Sequence, residues 1–332
     1  MQPSTDAMET VGDWYHAWFT GIILMAVSRR GPGEAAELVF RVFRQQQQAR
    51  FLEGLEKLGL TGLPPAIAAA RYHYLSNAIG GVGVEYHEES PRKAWIRYPP
   101  PRWIWQGTAL CGIPPEVNAA MLRGWHAQNG VSLGCPRLGF VCTGQTVEGD
   151  PGLEGYYLEH DHDLTEEERL RFTRAERMPR FDAAAAPALP PSWPAERLAK
   201  AKRGYAMEYV RSVMQAAVAQ WGAEAAGALL GHAARLTAMQ HARQAARALG
   251  AGDGPSLLLA LAAAQGDAAR REGEMIRQPS PALFRGLDLP PALLQAWGEL
   301  HRGALLAFDP FATLVLDAGP DGLAFRLRPS RG

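Results

Sequence analysis

The residues best able to do chemistry lie in the first half of the chain. His73 and Asn77 are four apart in a helical stretch and so share one face. Cys111 stands between an expected strand and a helix opened by Pro114-Pro115-Glu116. A thiolate there is stabilised by helix N-terminal amides, which suits a nucleophile or a ligand. His126, in Arg123-Gly-Trp-His-Ala-Gln-Asn129, has the chemistry of a general base. These types suggest His73 or His126 as base, Cys111 as nucleophile, and Asn77, Glu85, Trp95, Arg97 and Asn129 as substrate contacts. Trp95, Trp103 and Trp105 can wall a pocket for a planar ligand, or simply pack.

Other clusters point to less. His160-Asp161-His162 puts two imidazoles on one strand face, yet it adjoins a capping box, where solvated residues are common. No metal is expected there. Cys135 and Cys142 lack the spacing of a zinc pair. No phosphate loop, dinucleotide fingerprint or Gly-x-Ser-x-Gly elbow is present, and no cofactor is expected.

Composition sets the frame. The chain has 332 residues, 47% hydrophobic, with 34 Lys+Arg against 34 Asp+Glu. A balanced charge gives no field to gather nucleic acid or an anionic membrane. Three cysteines are too few and too odd in number for a disulfide framework, which favours reduced thiols and a cytoplasmic location. The apolar run at residues 19–27 is too short for a span of about 20 residues. Asp6, Glu9 and Asp13 before it do not suit a signal peptide.

These residues need elements to hold them. Residues 1–12 read as a loose tail, and Asp13 as the cap of a first helix. A second helix is expected over residues 34–58, with Leu38, Val42, Leu52, Leu55 and Leu58 on its apolar period and Gln45–Gln48 on a solvated face. Pro64-Pro65 opens a third helix, which Gly80-Gly81 breaks. Two alternating runs then make a hairpin: Val82, Val84 and Tyr86 oppose Glu85, His87 and Glu89, and Ala94, Ile96 and Tyr98 oppose Lys93, Trp95 and Arg97. Residues 103–105 can extend the sheet. A helix to about Gln128 leads into a second hairpin, turning at Glu148-Gly149-Asp150-Pro151-Gly152. The Glu85, His87, Glu89 face and Arg97 are expected to extend the His73 wall. Thr165 and Glu168 form a capping box, which predicts a short helix to about Arg177. An Ala/Pro-rich linker follows.

The pattern then restarts. Glu224-Ala225-Ala226 echoes Glu34-Ala35-Ala36, and Ala248-Leu249-Gly250 echoes Lys57-Leu58-Gly59. A helix over residues 256–270 stands for the His73 helix, Pro290-Pro291 for Pro114-Pro115, and His301 for His126. The expected fold is α+β: a tandem duplication of a helices-plus-antiparallel-sheet domain, 13–178 and 199–332, joined by a linker at 179–198. The three cysteines, the three asparagines and six of the nine histidines fall in the first copy. Buried polar groups are costly unless used or paired, so the first copy is expected to work and the second, degenerate, to be structural. The two copies make a pseudo-dimer within one chain, and a homo-oligomer is open.

Ser76-Asn-Ala-Ile-Gly-Gly81, residues 82–98 and residues 139–161 carry a resemblance. Their order resembles the vinyl-reductase-type and TRAPP-like ligand-binding fold. Cys111 between strand and helix resembles the L-2-amino-thiazoline-4-carboxylic acid hydrolase-like family. That family's second cysteine followed by Asp is unmatched; Trp125-His126-Ala127-Gln128 occupies the region. The resemblance implies hydrolysis of a C–N bond in a small cyclic substrate at one site in the N-terminal copy. The alternative is a non-catalytic small-molecule-binding or sensor module.

Overall fold

The computed structural model describes residues 3–101, 104–189, 193–319 and 322–328. The chain is α+β with two sheets and forms two compact units. One unit is Ala26–Pro194; the other is Met1–Met25 together with Ala195–Gly332.

Helix α1, Thr5–Arg30, starts earlier than expected. Ser4 Oγ accepts the Ala7 N–H at 3.2 Å, and Met8 and Val11 are buried, so the tail is the first turns of a helix. The boundary expected at residue 13 also moves. Trp18 Nε1 donates to the Leu230 carbonyl at 3.2 Å, which ties the front of α1 to the C-terminal half.

In the unit Ala26–Pro194, α2 spans Pro32–Lys57 and α3 spans Pro65–Ile79. Leu38, Val42, Phe51 and Leu55 of α2 are buried, whereas Leu52 is 54% exposed. Phe51, one residue round, takes the place expected of Leu52. The glutamine run is not a solvated face either: Gln46 and Gln47 are buried. Strands β1 (Glu85–Ser90) and β2 (Lys93–Tyr98) form the expected hairpin. Ile104 and Trp105 lie in a buried turn rather than the sheet, and Trp103 lies outside the described residues. Gly107–Gly112 is a 3-10 turn, not a strand. Helix α4, Pro115–Gly124, passes through a 3-10 turn at His126–Gln128 into the single-turn α5, Asn129–Ser132. A Cβ on Gly124 would lie 2.8 Å from the Phe40 carbonyl oxygen, so glycine lets α4 touch the α2 backbone.

Strands β3 (Leu138–Gly144) and β4 (Leu153–Glu159) complete an antiparallel core, and β5 (Leu170–Phe172) adds parallel to β3. The order is β1-β2-β4-β3-β5. The short helix expected after Thr165 does not form. Its capping bonds exist, Glu168 Oε2 to the Thr165 N–H at 3.0 Å and Thr165 Oγ1 to the Glu168 N–H at 3.4 Å. They close a turn, and the chain then meets the backbone edge of β3 (Phe140 N–H to Arg169 carbonyl, 2.8 Å).

The other unit contains α6 (Ala195–Trp221), α7 (Ala223–Leu249), α8 (Gly254–Gln265), β6 (Arg270–Glu272), β7 (Met275–Gln278), α9 (Pro291–Leu306), β8 (Thr313–Gly319) and β9 (Gly322–Arg328). Its sheet order is β6-β7-β9-β8. Asp253 caps α8 by accepting the Ser256 N–H at 2.8 Å. Gly266 at φ 92 ends α8 short of the expected Arg270. No helix among the described residues is long and apolar enough to cross a membrane.

Candidate functional site

Strand alternation divides the expected site residues of the N-terminal unit between the two faces of its sheet. Tyr98 and Tyr157 face the helices, where they meet His73 and Asn129. Glu85, Trp95 and Arg97 face the other way. Arg97 Nε donates to Glu85 Oε2 at 2.6 Å, and Trp95 packs on Tyr156, Val141 and Met178. Period two therefore prevents Arg97 and the Glu85, His87, Glu89 face from extending the His73 wall. That expectation is corrected.

On the helix face runs a chain of buried polar groups. Gln47 Nε2 donates to Asn129 Oδ1 at 3.2 Å and to Ser132 Oγ at 2.9 Å. Asn129 Nδ2 donates to Tyr157 Oη at 2.8 Å and lies 3.0 Å from His73 Nε2. An amide nitrogen can only donate, so His73 Nε2 accepts and its proton sits on Nδ1. Nδ1–H donates to Tyr98 Oη at 3.1 Å, and the same hydroxyl lies 3.4 Å from His126 Nε2. The two imidazoles stack with centroids 4.2 Å apart and planes 12° from parallel. Burial pushes the His73 pKa down to about 3, so the ring is neutral at ordinary pH. His126 packs on Phe140 at 4.7 Å between centroids. Phe140 has room because a Cβ on Gly155 would come within 2.6 Å of its ring.

The remaining candidates go elsewhere. Asn77 Nδ2 donates to the His73 carbonyl at 2.7 Å, which turns it along its own helix rather than toward the His73 ring. Cys111 is an exposed free thiol on the 3-10 turn, and that turn packs against Thr146–Glu148. Cys111 precedes α4 and His126 follows it, and the ten residues of that helix span about 15 Å. The structure thus groups His73, His126 and Asn129 and leaves Cys111 apart. Cys135 and Cys142 are free and buried, and burial pushes the Cys142 thiol up to about 12. The His160 and His162 rings lie 5.7 Å apart. No group of three or more His, Cys, Asp or Glu able to hold a metal ion occurs among the described residues.

Several polar residues that matter here escaped the sequence. Gln47, Tyr98 and Tyr157 complete the helix-face chain. On the opposite face, buried Glu154 accepts from Thr143 Oγ1 and the Met178 N–H, both at 2.9 Å, and from Arg97 at 3.3 Å. The C-terminal unit, expected to keep only packing residues, holds a polar set of its own. Gln265 bonds Tyr15 and donates to Asp267 at 2.6 Å, as does Gln278. Burial raises the Asp267 pKa. His301 stacks on Phe325, and its Nδ1 donates to the Trp297 carbonyl at 3.0 Å.

A cleft of about 190 Å³ opens where β3 runs into its turn. Cys142, Thr143, Gly144, Gln145, Glu148, Phe172, Thr173 and Arg174 line it. Arg174 reaches Glu148 at 2.9 Å and Asp150 at 3.0 Å. Gln145 is fixed by Asn118 on α4, whose amide donates to Gln145 Oε1 at 2.9 Å. Phe172 stands 47% exposed at the cleft. The cleft is lined by a guanidinium, a carboxylate, an amide, two hydroxyls and one aromatic face; of these, Thr143 Oγ1 donates to Glu154 and Gln145 Nε2 to Glu148 at 3.0 Å. Comparison with family models, with curated proteins and with solved structures returns no match.

Proposed function

We propose that the chain is a small-molecule-binding protein whose ligand occupies the Thr143–Arg174 cleft of the N-terminal unit. The observation that carries this reading is the cleft itself: a concave site whose few polar groups converge beside an exposed aromatic ring. Its chemistry suits a small polar ligand with acceptor atoms for Arg174 and a flat apolar face for Phe172. The His73–His126 chain, which does not line the cleft, is read as bracing the fold, since both ring nitrogens of His73 are engaged.

Hydrolysis of a C–N bond in a small cyclic substrate is the second reading. In its favour, the turn bearing the exposed Cys111 packs on Thr146–Glu148, beside the cleft. Against a Cys–His mechanism stands the separation of Cys111 from His73 and His126. A fragment screen read by thermal shift, on the wild type and on Arg174→Ala, tests the binding reading. Hits that stabilise the wild type and not the variant support it. Hits insensitive to Arg174→Ala and to Phe172→Ala overturn it. Turnover of cyclic C–N fragments, lost in Cys111→Ser, would favour the hydrolase.

We also propose that the chain arose by duplication of one unit and that it works in a reducing, cytoplasmic setting. The order helices, hairpin, helix, hairpin occurs twice, and the strand orders β1-β2-β4-β3 and β6-β7-β9-β8 correspond. All three cysteines are free thiols. The vinyl-reductase-type and TRAPP-like resemblance fits a ligand-binding role.

A further inference from the structure

The outer face of the N-terminal sheet carries a platform that the chain itself covers. Trp95 and Tyr156 sit side by side with ring centroids 4.5 Å apart. Lys93 Nζ lies 5.0 Å from the Trp95 ring and 4.4 Å from the Tyr156 ring. An ammonium over two aromatic faces is held by their quadrupoles. It is only 13% exposed, so it is well placed to bind a carboxylate strongly.

A strap of irregular chain after β5 fills the platform at three points. Glu176 bonds Lys93 Nζ at 2.5 Å, and its other oxygen accepts the Tyr156 hydroxyl at 2.7 Å. Two residues on, the Met178 side chain is buried against Trp95, Val141 and Tyr156. The Met178 N–H donates to Glu154 Oε1 at 2.9 Å. The strap has no helix or strand of its own, and its neighbours Arg174, Ala175, Arg177, Pro179 and Arg180 are exposed. On the platform itself its hold is one carboxylate, one thioether side chain and one backbone bond. On either side Thr173 N–H donates to the Cys142 carbonyl at 3.0 Å, Arg174 pairs with Glu148 and Asp150, and Phe181 meets Tyr74, so residues 176–178 can leave while both ends of the strap stay anchored. Glu89, on the neighbouring strand β1, flanks the platform, reaching Lys93 at 3.2 Å and accepting the Trp95 indole N–H at 2.7 Å.

We propose that Lys93, Trp95, Tyr156 and Glu154 form a binding site for an extended peptide segment with a carboxylate two residues ahead of an unbranched apolar side chain. Residues 176–178 are its resident occupant, and a partner's segment of the same chemistry exchanges with them. Spacing sets the specificity: successive side chains of an extended segment point to opposite sides, so positions two apart reach the same floor. The middle residue, Arg177, points away and is exposed.

The test uses the full chain and a fluorescein-labelled peptide of residues 173–180, read by anisotropy. Glu176→Ala/Met178→Ala empties the platform, and Glu176→Ala alone is the milder variant should the double one fold poorly. The expected result is saturable binding at least tenfold tighter to the variants than to the wild type. Adding Lys93→Met, or replacing the peptide's glutamate by alanine, should each weaken it tenfold or more. Absence of saturable binding to both folded variants overturns the proposal. So does equal binding of the alanine-substituted peptide, which would mean non-specific attraction by the strap's arginines.

Discussion

The amide nitrogen of Asn129 lies 3.0 Å from His73 Nε2, and this single contact orders the buried polar chain of the N-terminal unit. It makes Nε2 an acceptor and places the His73 proton on Nδ1, where it meets the Tyr98 hydroxyl. Replacing Asn129 by Ala removes partners from Gln47, His73 and Tyr157 together. A buried group left unsatisfied costs about 1–3 kcal/mol, so the variant should lose at least that much stability. Chemical denaturation measures it, and imidazole nitrogen NMR should show the Nδ1–H tautomer for His73 in the wild type.

Acid should destabilise the protein through its buried histidines. Burial lowers the pKa of His73 to about 3, of His16 to about 3 and of His301 to about 4. Unfolding returns each to about 6.5. Between these values the unfolded chain binds more protons, so stability is full above about pH 6.5 and falls as the pH drops below it. Each such group contributes a slope of about 1.4 kcal/mol per pH unit. In His73→Gln the stability-versus-pH slope between pH 4 and 6 should be shallower by about one proton. Denaturation across that range reads it, and an unchanged slope would show that His73 does not titrate on unfolding.

Helix packing offers a third check. Gly124 faces the Phe40 carbonyl and a Cβ there would also lie 2.9 Å from Phe43 Cβ. Gly124→Val must push α4 off α2, and overpacking of this kind costs about 1–3 kcal/mol or more. The melting temperature should fall by several degrees, while Gly83→Ala, where an added Cβ meets nothing, should change it little.

Much of this was legible because strand alternation is local. Tyr86, Ile96 and Tyr98 could be assigned to one face and Glu85, His87 and Arg97 to the other directly from the order of residues. What that alternation implied was harder to see: residues adjacent in sequence are separated by the sheet, so Arg97 and His73 belong to different surroundings. Gln47 was hidden because four identical residues carry no period, and which of them turns inward depends on Asn129, far along the chain. Leu52 lost its place to Phe51 for a similar reason, since a one-residue rotation of α2 leaves both patterns plausible. The capping box at Thr165 and Glu168 formed, but pairing with β3 then decided the following residues. Asp267 reads as a turn residue in the sequence. Its role appears only when Gln265 and Gln278 converge on it.

The cleft predicts a division of labour between its walls. Glu148 and Asp150 hold Arg174 in place, so Asp150→Asn should weaken ligand binding by loosening Arg174 without emptying the cleft. Isothermal titration with a hit from the fragment screen should show a smaller loss for Asp150→Asn than for Arg174→Ala. Equal affinity in all three proteins would remove Arg174 from the site.

Amide chemical-shift mapping of the deuterated full chain with that same fragment tests the central claim most directly. Binding in the cleft should shift Gly144, Gln145 and Thr173 most and leave the amides around His73 and Asn129 nearly unmoved. Shifts centred on His73, His126 and Asn129, with those cleft amides silent, would contradict it and make the buried histidine pair the ligand site.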